Sequence, residues 1–164
     1  MTWKRQQSGI GRGHTVLLVL GAALVTTAVL ILNPMNIPNL PAKPRPASDY
    51  DQALQGIPAL QAKEAAFNPV CRLQFLTHGK KAGRAIILVH GYTECPYQFK
   101  ALGKRYYDLG YNVLIAPLPH HGLADRMTEE QALLTAEELA AYADETVDLA
   151  QGLGEKVTMM GISC

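Results

Sequence analysis

Ser163 stands at the end of the stretch KVTMMGISC, directly after a short apolar run and two residues after Gly161. A serine hydroxyl can attack a carbonyl carbon when a base takes its proton, leaving a covalent acyl intermediate for water to release. Gly161-Ile162-Ser163 matches the first three positions of G-x-S-x-G, where a serine occupies a sharp, strained turn from strand to helix and exposes its hydroxyl. Glycine is needed there because a side chain would strike neighbouring backbone. By itself the triplet also fits a plain strand-end turn. The attack requires two N–H donors converging on the oxyanion, one from the residue after the nucleophile and one from the loop after an earlier strand. In this chain those would be the N–H groups of Cys164 and Tyr92, the latter in IILVHGYTECPYQF, where His90-Gly91 closes an apolar run. Preorganised donors of this kind lower a barrier by on the order of 3 kcal/mol each. A third cluster, PLPHHG from Pro117 to Gly122, closes another apolar run.

Three strands must bring these clusters together. Ala85 to Val89 is a run of five apolar residues, suited to a strand buried on both faces. YNVLIAP is a second strand, stopped by Pro117, and KVTMMG a third. Pro96 opens a helix to about Leu109, with Phe99, Leu102, Tyr106 and Leu109 on one face and Gly110 as its stop. Thr128 with Gln131, and Thr135 with Glu138, each match the Ser/Thr-x-x-Glu/Gln capping box. The second opens a helix from about Ala136 to Gln151, with an apolar face of Leu139, Ala143, Val147 and Ala150, broken by Gly152 and Gly154. CRLQFLTHG reads as an entry strand turning at Gly79, and Ser48 to Lys63 holds room for a short helix. Crossovers of this length make the strands parallel, with helices on both faces. Sites in such sheets lie at the carboxyl ends of the strands, where His90-Gly91, Pro117 onward and Gly161-Ile162-Ser163 fall.

A strand ending in His-Gly, then a Gly-Tyr strand leading to Pro and His-Gly, then G-x-S in this order resembles the α/β-hydrolase superfamily. The likeness is greatest to its lipase, esterase and serine-aminopeptidase-like members and covers about Val70 to Cys164. It implies an α/β-hydrolase fold with a mostly parallel sheet. It also implies Ser163 as nucleophile toward carboxylic esters or related acyl substrates, Tyr92 and Cys164 as oxyanion donors, and no cofactor. His90, Gly91, His121, Gly122 and Gly161 would shape the site. Family members draw the triad acid and histidine from beyond the serine, so the expectation is an N-terminal portion of a longer hydrolase, inactive alone. A last strand left as an unpaired apolar edge would invite aggregation. Two other readings stay open: a serine peptidase of the same fold, and a non-catalytic hydrolase-like binding module.

Thr15 to Leu32, TVLLVLGAALVTTAVLIL, carries neither charge nor proline over 18 residues, about the length that spans a bilayer. Lys4, Arg5 and Arg12 precede it with no acidic residue, which predicts a cytoplasmic N-terminus and an extracytoplasmic remainder at the cell membrane. The run exceeds a typical signal-peptide core and is followed by NPMNIPNLP, a poor cleavage site, so a signal anchor is favoured over a cleaved signal. The expected organisation is therefore residues 1–14 cytoplasmic, 15–32 transmembrane, 33–66 a proline-rich linker and entry segment, and 67–164 hydrolase domain. Pro34, Pro38, Pro41, Pro44 and Pro46 make the linker an extended spacer. Beyond Leu32 stand 12 Lys and Arg against 14 Asp and Glu; this near balance, without a basic cluster, speaks against a nucleic-acid partner.

His120, His121 and Asp125 invite a metal reading, but adjacent histidines on an extended segment point apart and no further ligand is suitably spaced, so no metal is expected. Asp125, Asp144 and Asp148 precede the serine and suit solvated or capping roles. Of the three cysteines, Cys71 and Cys95 could pair outside the cytoplasm and stiffen the loop bearing Tyr92, or both could be buried thiols. Cys164 is the least suited to pairing, and Ser163 is favoured over its thiol as nucleophile.

Overall fold

Two of the three apolar runs form the middle of a four-stranded sheet among the described residues. The structure, a computed structural model, describes residues 12–32, 40–63 and 66–163 and divides at Asn39 into two units. The expectations for residues 1–11 and 33–39, including Pro34 and Pro38, and for Cys164 lie outside the described residues.

In the first unit, helix α1 (Arg12–Leu32) holds the uncharged run, and Gly13–Leu32 is long and apolar enough to cross a membrane. Thr26 and Thr27 donate their hydroxyls to the carbonyls of Ala22 and Ala23 at 2.9 Å, so both are satisfied within the helix. An N-terminal signal sequence can satisfy the same criterion of length and composition.

The second unit contains α2 (Tyr50–Ala62), β1 (Gln74–Leu76), β2 (Ala82–Val89), α3 (Lys100–Asp108), β3 (Asn112–Ile115), α4 (Ala136–Leu153) and β4 (Gly154–Gly161). The sheet order is β1-β3-β2-β4. β2 pairs in parallel with β3 and β4, and β1 runs antiparallel to β3. The period-two alternation of β2 divides the core. Ile87 and Val89 join Leu114, Ala116, Ile57, Leu60, Tyr142 and Ala150 under α2 and α4. Ile86 and Leu88 join Val113, Ile115 and Phe99 on the side of α3. Helices therefore cover both faces. Among the described residues β4 is an edge strand, with Met159 exposed.

Thr135 and Glu138 form the full capping box that starts α4. The Thr128 box does not form: residues 130–133 make a single 3₁₀ turn, and Glu129 occupies its cap position without a side-chain bond. The buried face of α4 is Tyr142, Thr146, Ala150 and Leu153, whereas Leu139 is 40% exposed. Leu109 is 73% exposed because α3 ends at Asp108, before the stripe returns to the sheet. Gly152 lies inside α4 against α2, where a Cβ would stand 2.3 Å from the Asp49 carbonyl oxygen.

The linker is not a free spacer beyond Leu40. The backbone N–H groups of Lys43 and Arg45 donate to the carboxylates of Asp144 and Asp148 at 2.8 and 2.7 Å, and that of Ala47 donates to the Asp148 carbonyl at 2.9 Å. Prolines occupy the positions between, leaving the donors on alternate residues to face α4. Asp144 and Asp148, expected to be solvated or capping, hold this strap, and α2 packs against α4 after it.

Candidate functional site

The carboxyl ends of β2, β3 and β4 meet where the three clusters were expected. β4 runs into Ile162, whose N–H donates to the Val89 carbonyl at 3.3 Å, extending the pairing past Gly161. Ser163 then turns sharply: its φ is 54°, in the left-handed region that a non-glycine residue rarely occupies. The residue is exposed. Gly91 lies so close that a Cβ there would sit 3.1 Å from the Ile162 carbonyl oxygen. The Gly91 N–H donates to Gln98 Oε1 at 2.9 Å, and the Tyr92 N–H to the Ser163 carbonyl at 3.2 Å. The structure thus brings His90, Gly91, Tyr92, Gly161 and Ser163 together.

His90 is fully buried and joins two strand ends. The Leu118 N–H donates to its Nε2 at 3.0 Å, so Nε2 bears the lone pair and Nδ1–H faces the Gly91 carbonyl at 2.9 Å. Burial pushes its pKa down to about 4, the Gly91 hydrogen bond opposing and the nearby His121 assisting. It is neutral at neutral pH. His121 is also fully buried; its Nδ1–H donates to the Pro119 carbonyl at 2.7 Å, its Nε2 meets no partner among the described residues, and its ring lies edge-on to Tyr92 at 5.0 Å.

His120 faces the other way. It sits between two clefts of about 370 and 440 Å³, the first polar, beside Thr93, Arg126 and Gln131, the second mainly apolar, beside Leu60, Leu118 and Tyr142. Ser163 lines neither. His120 Nδ1 lies 2.9 Å from Glu130 Oε2 and Nε2 lies 3.0 Å from Glu138 Oε1. These hydrogen bonds, Glu130's first, raise its pKa. Glu138 is held below the usual carboxylate range by the Thr135 N–H and then by His120. Asp125 accepts from the Met127 N–H within its own loop, and among the described residues no group of His, Cys, Asp and Glu is arranged to hold a metal.

Cys71 and Cys95 are joined by a disulfide with Cα atoms 5.2 Å apart. Gly122 packs against it with φ 78°, and a Cβ there would meet Cys71 Cβ at 2.9 Å, so both backbone and space require glycine. The Gly122 carbonyl accepts from the Asn68 N–H at 2.8 Å. The disulfide thereby links the Tyr92 loop to the segment that braces the His121 turn.

Sequence reasoning missed Asn112, the buried amide that ties the opposite end of the sheet. It donates to the Lys80 and Leu153 carbonyls at 2.8 and 2.7 Å and accepts from the His78 N–H at 2.9 Å. An asparagine inside an apolar strand was its only signal. The roles of Glu130 and Gln131 were also missed, because their partners are distant in sequence.

No protein-family model matches the chain, and no curated protein matches it. Among solved structures it is similar to one of two metagenome-derived lipolytic enzymes described as increasing the diversity of known lipase and esterase families. The identity is 22%, the TM-score 0.45, and the match covers 59% of this chain. It covers 37% of that protein, so the chain spans little more than a third of its neighbour's length.

Proposed function

We propose that residues 67–164 belong to an α/β-hydrolase that acts on carboxylic esters or related acyl substrates through an acyl-enzyme on Ser163. The observation that carries this reading is the left-handed φ of Ser163 at the carboxyl end of β4, beside the backbone of Gly91 and Tyr92. A strained serine in that position is what a nucleophile elbow requires. The Tyr92 N–H already points at the elbow; on substrate binding it exchanges the Ser163 carbonyl for the oxyanion, joined by the N–H of Cys164. The triad acid and base come from outside the described residues. His90 is neutral with both ring nitrogens engaged, His120 holds two carboxylates, and His121 uses Nδ1 on a backbone carbonyl. Gly13–Leu32 anchors the protein in the cell membrane with the N-terminus cytoplasmic, and the hydrolase domain meets ester or lipid-like substrates on the other side.

The test is a fluorophosphonate probe applied to the full-length protein. Labelling that disappears in Ser163→Ala is expected. A native protein that stays unlabelled sinks the reading and leaves a hydrolase-like binding module in its place.

A further inference from the structure

His120 is held in a backbone conformation that suits glycine, by contacts that only its side chain can make. The His121 N–H donates to the Leu118 carbonyl at 3.2 Å, closing a turn with Pro119 second and His120 third. His120 has φ 63°, the value that a type II turn demands at its third residue and that glycine meets without strain. A histidine kept there against that preference points to use of its ring.

The ring bridges two elements. Glu130 opens the 3₁₀ turn Glu130–Leu133, and Glu138 lies in the first turn of α4. Both ring nitrogens face carboxylate oxygens, which only accept, so the geometry suits a ring that carries a proton on each nitrogen. Beside it the clefts present Glu94, Asp125 and Arg126 on one side and the ion-paired Lys63 and Glu145 on the other, none hydrogen bonded to the ring among the described residues. The next residue after Glu130 completes the connection: the Gln131 carbonyl accepts the Tyr92 hydroxyl at 2.7 Å. Tyr92 is thus held at both ends, by its hydroxyl on Gln131 and by its N–H on Ser163.

We propose that protonated His120 is a positioning residue for Tyr92, fixing the Glu130–Leu133 turn and through it the N–H that serves the oxyanion. This inference rests on the serine-hydrolase reading. A neutral imidazole can donate only once. Glu138 keeps Thr135 through Oε2, whereas Glu130 has no second hydrogen bond among the described residues. Loss of the proton leaves one N–H for two carboxylates; with that proton on Nε2, Glu130 is freed, Gln131 loosens and Tyr92 moves.

Two measurements on the full-length protein in detergent micelles decide it. By nitrogen-15 NMR, the His120 ring should titrate above an ordinary histidine, and the Tyr92 amide shift should follow the same curve. In His120→Gly, which keeps the turn, the Tyr92 shift should lose that step. Fluorophosphonate labelling of Ser163 should slow about tenfold, as misplacement of a catalytic group does. Added imidazole should restore it at acid pH and fail as the imidazolium is lost. Glu130→Gln repeats the test without touching the turn. A Tyr92 amide that ignores the His120 titration, or glycine and glutamine variants that label at the native rate, overturns the inference. If the native protein never labels, the serine-hydrolase reading fails instead, and the Tyr92 titration alone judges the clasp.

Discussion

His90 and His120 follow neighbouring parallel strands, His90 directly after β2 and His120 in the turn beyond β3, and their surroundings push their pKa values in opposite directions. His90 is enclosed between backbone groups, and burial drives its pKa down to about 4. His120 lies between two carboxylates, which raise its pKa. The first works as an uncharged strut: it gives the Leu118 N–H an acceptor and the Gly91 carbonyl a donor where water cannot reach. The second works as a charged clasp on the rim. Their contributions to stability run in opposite directions with pH. A depressed folded pKa stabilises fully above the unfolded value near 6.5 and is lost as pH falls toward 4; a raised one stabilises below 6.5 and is lost as pH rises through the folded pKa.

The largest effect is expected from removing the strut. His90→Leu fills the space but leaves the Leu118 N–H and the Gly91 carbonyl buried without partners, a loss of about 4 kcal/mol at pH 7 for two such groups. Urea unfolding of variant and native protein across pH sharpens the comparison. His90 gives the native protein on the order of 3 kcal/mol that vanishes between pH 6.5 and 4, so the gap between the two should narrow by that amount on acidification. A gap that stays constant with pH would show that His90 is not neutral in the fold.

The disulfide ranks next because it braces both turns at once. Replacing Cys71 and Cys95 by serine should lower stability by about 3 kcal/mol through the freed chain entropy of the closed loop. Equal stability under oxidising and reducing conditions would contradict this. Gly122→Ala is smaller: the left-handed φ costs about 1–2 kcal/mol, and its methyl presses on Cys71. A thermal midpoint unchanged from the native value would show that the turn relaxes around the methyl.

The strut and the clasp were not equally legible in the sequence. Apolar runs with no competing period marked β2 and β3, and the Thr135 box marked the start of α4, because each signal is local. His90 was readable as a residue that shapes the site, since it closes a buried strand directly. His120 was read only as a metal candidate, and set aside. Its partners lie 10 and 18 residues away, across a segment whose Thr128 pattern suggested a helix. That segment is too short to repay helix nucleation and stops at one 3₁₀ turn. Glu138 was half legible: Oε2 completes the capping box as expected, while Oε1 reaches His120. The docked linker was hidden for the same reason, its bonds to Asp144 and Asp148 spanning 101 and 103 residues.

His120→Gly should give the smallest change in stability and the clearest separation of the two histidines. Glycine removes the left-handed strain of His120, worth about 1 kcal/mol or slightly more. It also removes two charge-assisted hydrogen bonds on a partly exposed side chain, where solvent and salt reduce their worth. The two effects oppose each other, so the variant should lie within about 1 kcal/mol of the native protein at pH 7. The sign should turn with pH. Below about 6.5 the imidazolium is present whether or not the chain is folded, and the native clasp contributes in full. As pH rises through the folded pKa that contribution disappears while the strain remains, so the glycine variant should become the more stable. Thermal unfolding on both sides of neutrality tests this, and high salt should bring the crossing to lower pH by weakening the clasp. A glycine variant that is less stable at every pH would mean that His120 holds the rim by packing, as His90 holds the interior, and the contrast between strut and clasp would be lost.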